Sequence, residues 1–246
     1  MTAAKITVRN LTVGYDGVDV LRDVSFEIPE SSIFAVIGGS GAGKTTLLRH
    51  LVGLQRPRSG EVEIAGVGAP DLEAGAPRFG VTFQDGALFG SMTLLENVAL
   101  PLRKWTALSE DAIRRIAKAR IRLVGLGGFE SFPPSELSGG MRKRAGVARA
   151  LALEHDLLFL DEPTAGLDPI RSAEFDRLLV SLNEALGVTI VLVTHELPSL
   201  LEISTDSVLL HEDVKGIIAR GRPRDLYDHA EDPRVRGFFH REPREL

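Results

Sequence analysis

Cysteine is absent from the 246 residues, so the chain forms no disulfide and offers no thiolate to a metal, and its compartment is left open. Long apolar runs are missing as well. None approaches the roughly 20 residues that a bilayer-spanning helix needs, and the stretch from Met1 to Asn10 lacks the apolar segment of a secretory leader. The expectation is a protein that does not itself cross a membrane. Positive charge is in deficit: 29 Lys and Arg stand against 34 Asp and Glu, a net charge of −5, which argues against nucleic acid as the main partner. Internal repeats and low-complexity segments are also lacking. What is present, 43% hydrophobic and 26% charged residues, suffices for one large domain, or one domain with a subdomain, around a sizeable core.

The most informative stretch is Gly38-Gly39-Ser40-Gly41-Ala42-Gly43-Lys44-Thr45-Thr46, which fits the phosphate-loop spacing G-x-x-x-x-G-K-[ST]. An apolar run, Ile33–Ile37, precedes it as a buried strand, and Thr45–Leu54 follows as a helix with Leu47, Leu48, Leu51 and Leu54 near helical spacing. Glycines let backbone N–H groups curl around phosphates, the helix N-terminus adds partial positive charge, Lys44 adds a full one, and the Thr45 hydroxyl can ligate Mg²⁺.

Upstream, residues 5–30 alternate as two antiparallel strands, with Ile6, Val8 and Leu11 on the first and Val18, Val20, Val24, Phe26 and Ile28 on the second. The turn Tyr15-Asp16-Gly17 joins them. Tyr15 can stack on an adenine ring, or be an ordinary half-buried hairpin tyrosine. Downstream, Glu61–Ile64 reads as a strand, Asp71–Arg78 as loop, and Phe79–Phe83 as a strand that puts Gln84 at its carboxyl end, where α/β sheets bind ligands. From Asp85 to Gly127 the β pattern gives way to helices. An apolar stretch runs from Leu88 to Leu102. A helix capped by Ser109 follows, with Ile113, Ile116, Ala117, Arg120 and Val124 along one face and Arg114, Arg115, Lys118 and Arg122 solvated.

Ser138 in Leu137-Ser138-Gly139-Gly140-Met141 is suited to cap a helix reaching about Leu153; its free N–H groups make either a second anion site or a plain capped helix. Leu157–Leu160 is a buried parallel strand that delivers Asp161 and Glu162. Paired carboxylates there call for a partner; Mg²⁺ suits Asp161, and a water aimed at a γ-phosphate suits Glu162. Asp168 and Pro169 suit N-cap and N1 of a helix with Phe175, Leu178, Leu179, Leu182 and Leu186 inward. Val188–Val193 is the next strand, with His195 just beyond its end in the same crevice. Ser207–Leu210 and Gly216–Ala219 form an edge hairpin. In the polar tail, Phe238-Phe239 either docks on another surface or belongs to a frayed end.

Taken in order, Tyr15, Gly38–Thr45, Gln84, Leu137–Met141, Leu157–Glu162, Ala165–Asp168 and His195 resemble the nucleotide-binding subunit of an ABC transporter, over nearly the whole chain. Met141 departs from the glutamine often found there. Thr46–Leu54, Gly86–Phe89 leading into Glu96–Arg103, Asp168-Pro169-Ile170 and Asp232–Phe239 look like the MlaF-type ATPases of phospholipid transport. The resemblance implies an α/β phosphate-loop NTPase with a parallel core sheet and an N-terminal antiparallel β subdomain (residues 5–84 and 155–222), a helical insertion (85–154) and a tail at 223–246 for partner docking. It implies ATP and Mg²⁺. It also implies a head-to-tail homodimer in which Tyr15, Gly38–Thr46, Gln84, Asp161, Glu162 and His195 of one chain meet Ser138, Gly139, Gly140 and Asp168 of the other. Glu162, His195, Lys44 and Gln84 would carry catalysis, and Thr45, Gln84 and Asp161 (through water) the metal. The implied partners are permease subunits, an MCE-domain lipid-binding protein and a small regulatory subunit, at the cytoplasmic face of a bacterial inner membrane. Other cargoes (amino acids, solvents, drugs), a soluble ABC ATPase and a binding module without hydrolysis are the competing readings.

Overall fold

The computed structural model describes residues 3–15, 17–71, 75–83 and 86–241. In chain order the elements are β1 (Ala4–Tyr15), β2 (Val18–Pro29), β3 (Ile33–Gly38), α1 (Lys44–Leu51), β4 (Ser59–Ile64), β5 (Gly80–Thr82), α2 (Leu94–Trp105), α3 (Glu110–Leu123), α4 (Gly139–Ala150), β6 (Leu157–Asp161), α5 (Pro169–Leu186), β7 (Thr189–Val193), α6 (Leu197–Ile203), β8 (Asp206–His211), β9 (Gly216–Arg220), α7 (Pro223–His229) and α8 (Pro233–His240). They group into two units, one made of Met1–Gly75 and Thr189–Leu246, the other of Ala76–Val188.

In the first unit, β1 pairs antiparallel with both β2 and β4. Ile6, Val8, Leu11 and Val13 turn inward with Leu21, Val24, Phe26 and Ile28. Val18, one of the apolar residues that mark the second strand, is 61% exposed. Register shifts along the β1–β2 pair change which residues share a face, and Leu21 takes the buried place. The parallel strands of this unit follow the apolar runs. β3, buried at all six positions, lies between β7 and β8 and parallel to both. β8 is therefore an interior strand, and β9, antiparallel to it, is the outer member of the expected edge hairpin.

α1 is shorter than its leucine spacing suggests. It ends at Leu51, Gly53 turns left-handed at φ +72°, and Leu54 is 49% exposed. A side chain at Gly53 would lie 2.5 Å from the Pro70 carbonyl oxygen, so the left-handed turn there needs glycine. The tail also folds. α8, with Asp232 as N-cap and Pro233 at N1, buries Val235 and Phe239 among Ala35 and Ile37 of β3, Leu197 and Leu200 of α6, and Leu209 of β8. Phe239 thus packs on the chain's own core, with Phe238 partly buried beside it, and the frayed-end reading fails for residues 233–240.

In the second unit, β5 and β6 are parallel neighbours, and every residue of β6 is buried. Ser109 caps α3, whose inner face is Ile113, Ala117 and Ile121, followed by Val124; Ile116 and Arg120 flank it half-buried. Arg114, Arg115, Lys118 and Arg122 are exposed, as expected. α4 stops at Ala150 rather than near Leu153, where the Ala150 carbonyl oxygen lies 2.5 Å from where a side chain on Gly80 would begin. α5 turns Phe175, Leu179 and Leu182 inward, while Leu186, expected with them, is 46% exposed in the last turn before the left-handed Gly187.

Candidate functional site

The phosphate loop joins β3 to α1 in the first unit. Its bends need glycine: Gly38, Gly41 and Gly43 have φ of +155°, +80° and +93°. A Cβ on Gly38 would fall 2.7 Å from the Leu210 carbonyl oxygen, and one on Gly43 2.8 Å from Val20 Cγ1. Gly43 is the N-cap of α1 and gives the helix no side-chain hydrogen bond, and the first turn holds no acid. Thr93, Ser109, Ser138, Asp168 and Asp232 each cap their helices with a side-chain oxygen, while the short α6 and α7, also without a side-chain cap, carry proline in their first turn. The start of α1 therefore suits an external anion as its cap.

Lys44 Nζ donates to the carbonyls of Gly38 and Gly39, both at 2.9 Å, which holds a positive charge over the loop. Thr45 is exposed at the helix start. Tyr15 is 38% exposed, and its hydroxyl lies 3.0 Å from Thr46 Oγ1, so the hairpin tyrosine is tied to the first turn of α1. His195 is also in this unit, just past β7, with its side chain exposed and Nε2 4.0 Å from Glu196 Oε1. Thr194 before it is buried, and its hydroxyl accepts from Glu196 N at 3.1 Å.

The second unit carries the carboxylates. β6 ends on Asp161, 7% exposed. Glu162 follows, half-buried, with a left-handed φ of +47°. Its carbonyl accepts from Ala165 N and from Lys143 Nζ of α4, each at 3.2 Å. Ser138 caps α4, its hydroxyl accepting from Met141 N at 3.3 Å. Gly139 and Gly140 open the helix, and a Cβ on Gly140 would stand 3.8 Å from Leu167 Cδ2. Asp168 is exposed, and its Oδ1 accepts from Ile170 N and Arg171 N at 3.1 and 3.0 Å. Gln84 lies outside the described residues.

The sequence reading passed over Lys143 and Arg149. No spacing in the sequence reveals that each meets a backbone carbonyl in another segment. Among the described residues no group of three or more His, Asp or Glu side chains could hold a metal by itself. Mg²⁺ does not ask for such a group: one or two protein oxygens with phosphate and water suffice, and a buried carboxylate such as Asp161 and a helix-start hydroxyl such as Thr45 are donors of the right kind.

Fold and sites together define a phosphate-loop NTPase. The family described as ABC transporter matches residues 21–165. The chain is 40% identical over 239 residues to the probable ribonucleotide transport ATP-binding protein mkl of Mycobacterium leprae, covering 95% of this chain and 68% of that one. It is 41% identical over 225 residues to the intermembrane phospholipid transport system ATP-binding protein MlaF of Escherichia coli K12, covering 89% of this chain and 82% of that one. Its structure resembles that of the ATP-binding cassette MJ0796, solved as a dimer in a post-hydrolysis state with ADP and Pi, at a TM-score of 0.77 and 30% identity over 88% of this chain and 98% of that one. The chain belongs to the ABC transporter family, as an ABC-type ATPase subunit.

Proposed function

We propose that two copies of this chain close head to tail on two ATP molecules and that hydrolysis drives phospholipid transport through a separate membrane permease. The uncapped start of α1, under left-handed glycines and Lys44, is the observation that carries the nucleotide part of this reading. Gly38–Thr46 wraps the phosphates, Lys44 neutralises them, and Tyr15 stacks on the adenine. Thr45 and Gln84, with Asp161 through water, hold Mg²⁺, which supplies charge compensation at the phosphates when bound. Glu162 takes the proton of a water whose oxygen bonds to the γ-phosphorus as the bond to the β-phosphate oxygen breaks, leaving ADP and phosphate. His195 holds the γ-phosphate. Ser138, Gly139 and Gly140, at a helix start, serve the nucleotide of the other copy, with Asp168 beside them.

The phospholipid reading is supported by the likeness to MlaF, of which the chain covers 82%. An MCE-domain lipid-binding protein, permease subunits and a small regulatory subunit are the partners it calls for, with the ATPase peripheral at the cytoplasmic face of a bacterial inner membrane. No described helix is long and apolar enough to cross a membrane. The likeness to mkl, named for ribonucleotide transport, supports a second cargo.

Two measurements test the hydrolysis and the cargo in turn. Glu162→Gln is expected to bind ATP normally and lose about 10²- to 10⁴-fold in kcat; wild-type turnover removes Glu162 from the base role. Affinity purification of the assembly from its native membrane is expected to bring down an MCE protein and bound phospholipid. A ribonucleotide-binding partner in their place would move the proposal to the second cargo.

A further inference from the structure

Glu162 sits in a region of backbone space that L side chains rarely enter, at φ +47°. Such a conformation persists only where neighbours hold it. The backbone closes one side of it: Ala165 N donates to the Glu162 carbonyl at 3.2 Å. A further contact comes from outside the turn, where Lys143 Nζ donates to the same carbonyl at 3.2 Å. A cationic donor makes a stronger hydrogen bond than a neutral one. The direction of the Glu162 carboxylate follows from the backbone that Lys143 grips.

Lys143 is half-buried in the second turn of α4, five residues after Ser138. The far end of α4 is anchored too. Arg149 donates from Nη1 to the Ala87 carbonyl at 2.7 Å and from Nη2 to the Gly86 carbonyl at 3.2 Å. Between these points the helix and the 86–87 segment touch backbone to backbone, since a Cβ on Gly146 would stand 3.1 Å from Gly86 Cα. α4 is therefore tied to the segment that begins two residues after Gln84, and Lys143 is its link to the residue after β6.

We propose that Lys143 is a positioning residue for Glu162, holding the carbonyl of the base so that its carboxylate faces the attacking water. The proposal rests on Glu162 serving as that base. In the proposed dimer α4 begins at the partner's nucleotide, so the same bond links each chain's base to the occupancy of the other site.

The test is steady-state ATP hydrolysis by the full chain, with binding of a fluorescent ATP analogue and thermal melting measured alongside. Lys143→Met removes the donor and keeps the length. It is expected to lower kcat by about 10- to 100-fold, with analogue binding within about twofold of wild type. Lys143→Arg, which restores a cationic donor, is expected to recover most of the rate. In a Glu162→Gln background, Lys143→Met is expected to lower the residual rate no further. Wild-type kcat for Lys143→Met, no rescue by arginine, parallel loss of binding and melting temperature, or an additive loss in the double variant would each overturn the proposal. A slow Glu162→Gln beside a wild-type Lys143→Met overturns it alone; a wild-type Glu162→Gln overturns the base assignment and the proposal together.

Discussion

Gly43 shows how narrowly the phosphate loop is specified. Its φ is +93°, and a methyl group there would meet Val20 Cγ1 at 2.8 Å and Leu21 Cγ at 3.2 Å. Gly43→Ala is expected to destabilise the fold by about 1–3 kcal/mol and to raise the KM for ATP as the loop distorts. Denaturant unfolding and an ATP titration measure the two effects, and an unchanged KM would contradict the loop's assigned role. Single residues of this kind were legible in the sequence because close phosphate contact dictates both their type and their spacing. Lys143 and Arg149 were not, because a basic side chain on a helix gains meaning only from the carbonyl placed opposite it. Tyr15 falls between these cases. Its place on the hairpin tip was legible, but its bond to Thr46 depended on where α1 lies.

Elements were legible in kind more than in extent. Strands β3, β6 and β7 follow the apolar runs because a strand buried on both faces has few polar positions to mask its pattern. α1 and α4 end earlier than their apolar spacing suggests; α1 is followed by the left-handed Gly53, which lies against Pro70, and the end of α4 at Ala150 lies against Gly80. The clearest addition is α8. An arginine-rich tail gives little helical signal, yet Asp232 caps this helix by accepting from Arg234 N at 2.8 Å and from Arg234 Nη2 at 2.6 Å. These bonds hold the Asp232 carboxyl down at about 2, below its ordinary 3.8. A depressed carboxyl stabilises the folded chain above its unfolded pKa, and that contribution is lost as pH falls through the folded one. Asp232→Asn is therefore expected to melt below wild type at pH 7. The gap should narrow below about pH 4 and close near pH 2. A gap that stays constant across that range would show that the cap does not work through its charge.

For the whole molecule, the chain carries a net charge of −5, and no described helix is long and apolar enough to cross a membrane. The central claim is that each working site is shared between two copies, with Lys44 from one and Ser138 from the other. Mixing a Lys44→Ala chain with a Ser138→Arg chain tests it most directly, because only a mixed dimer contains one site with both residues intact. Each variant alone should be inactive, and an equal mixture should recover up to about a quarter of the wild-type rate, since about half of randomly paired dimers are mixed and each holds one working site. A mixture as inactive as its components, or full activity from Ser138→Arg alone, would contradict a shared site.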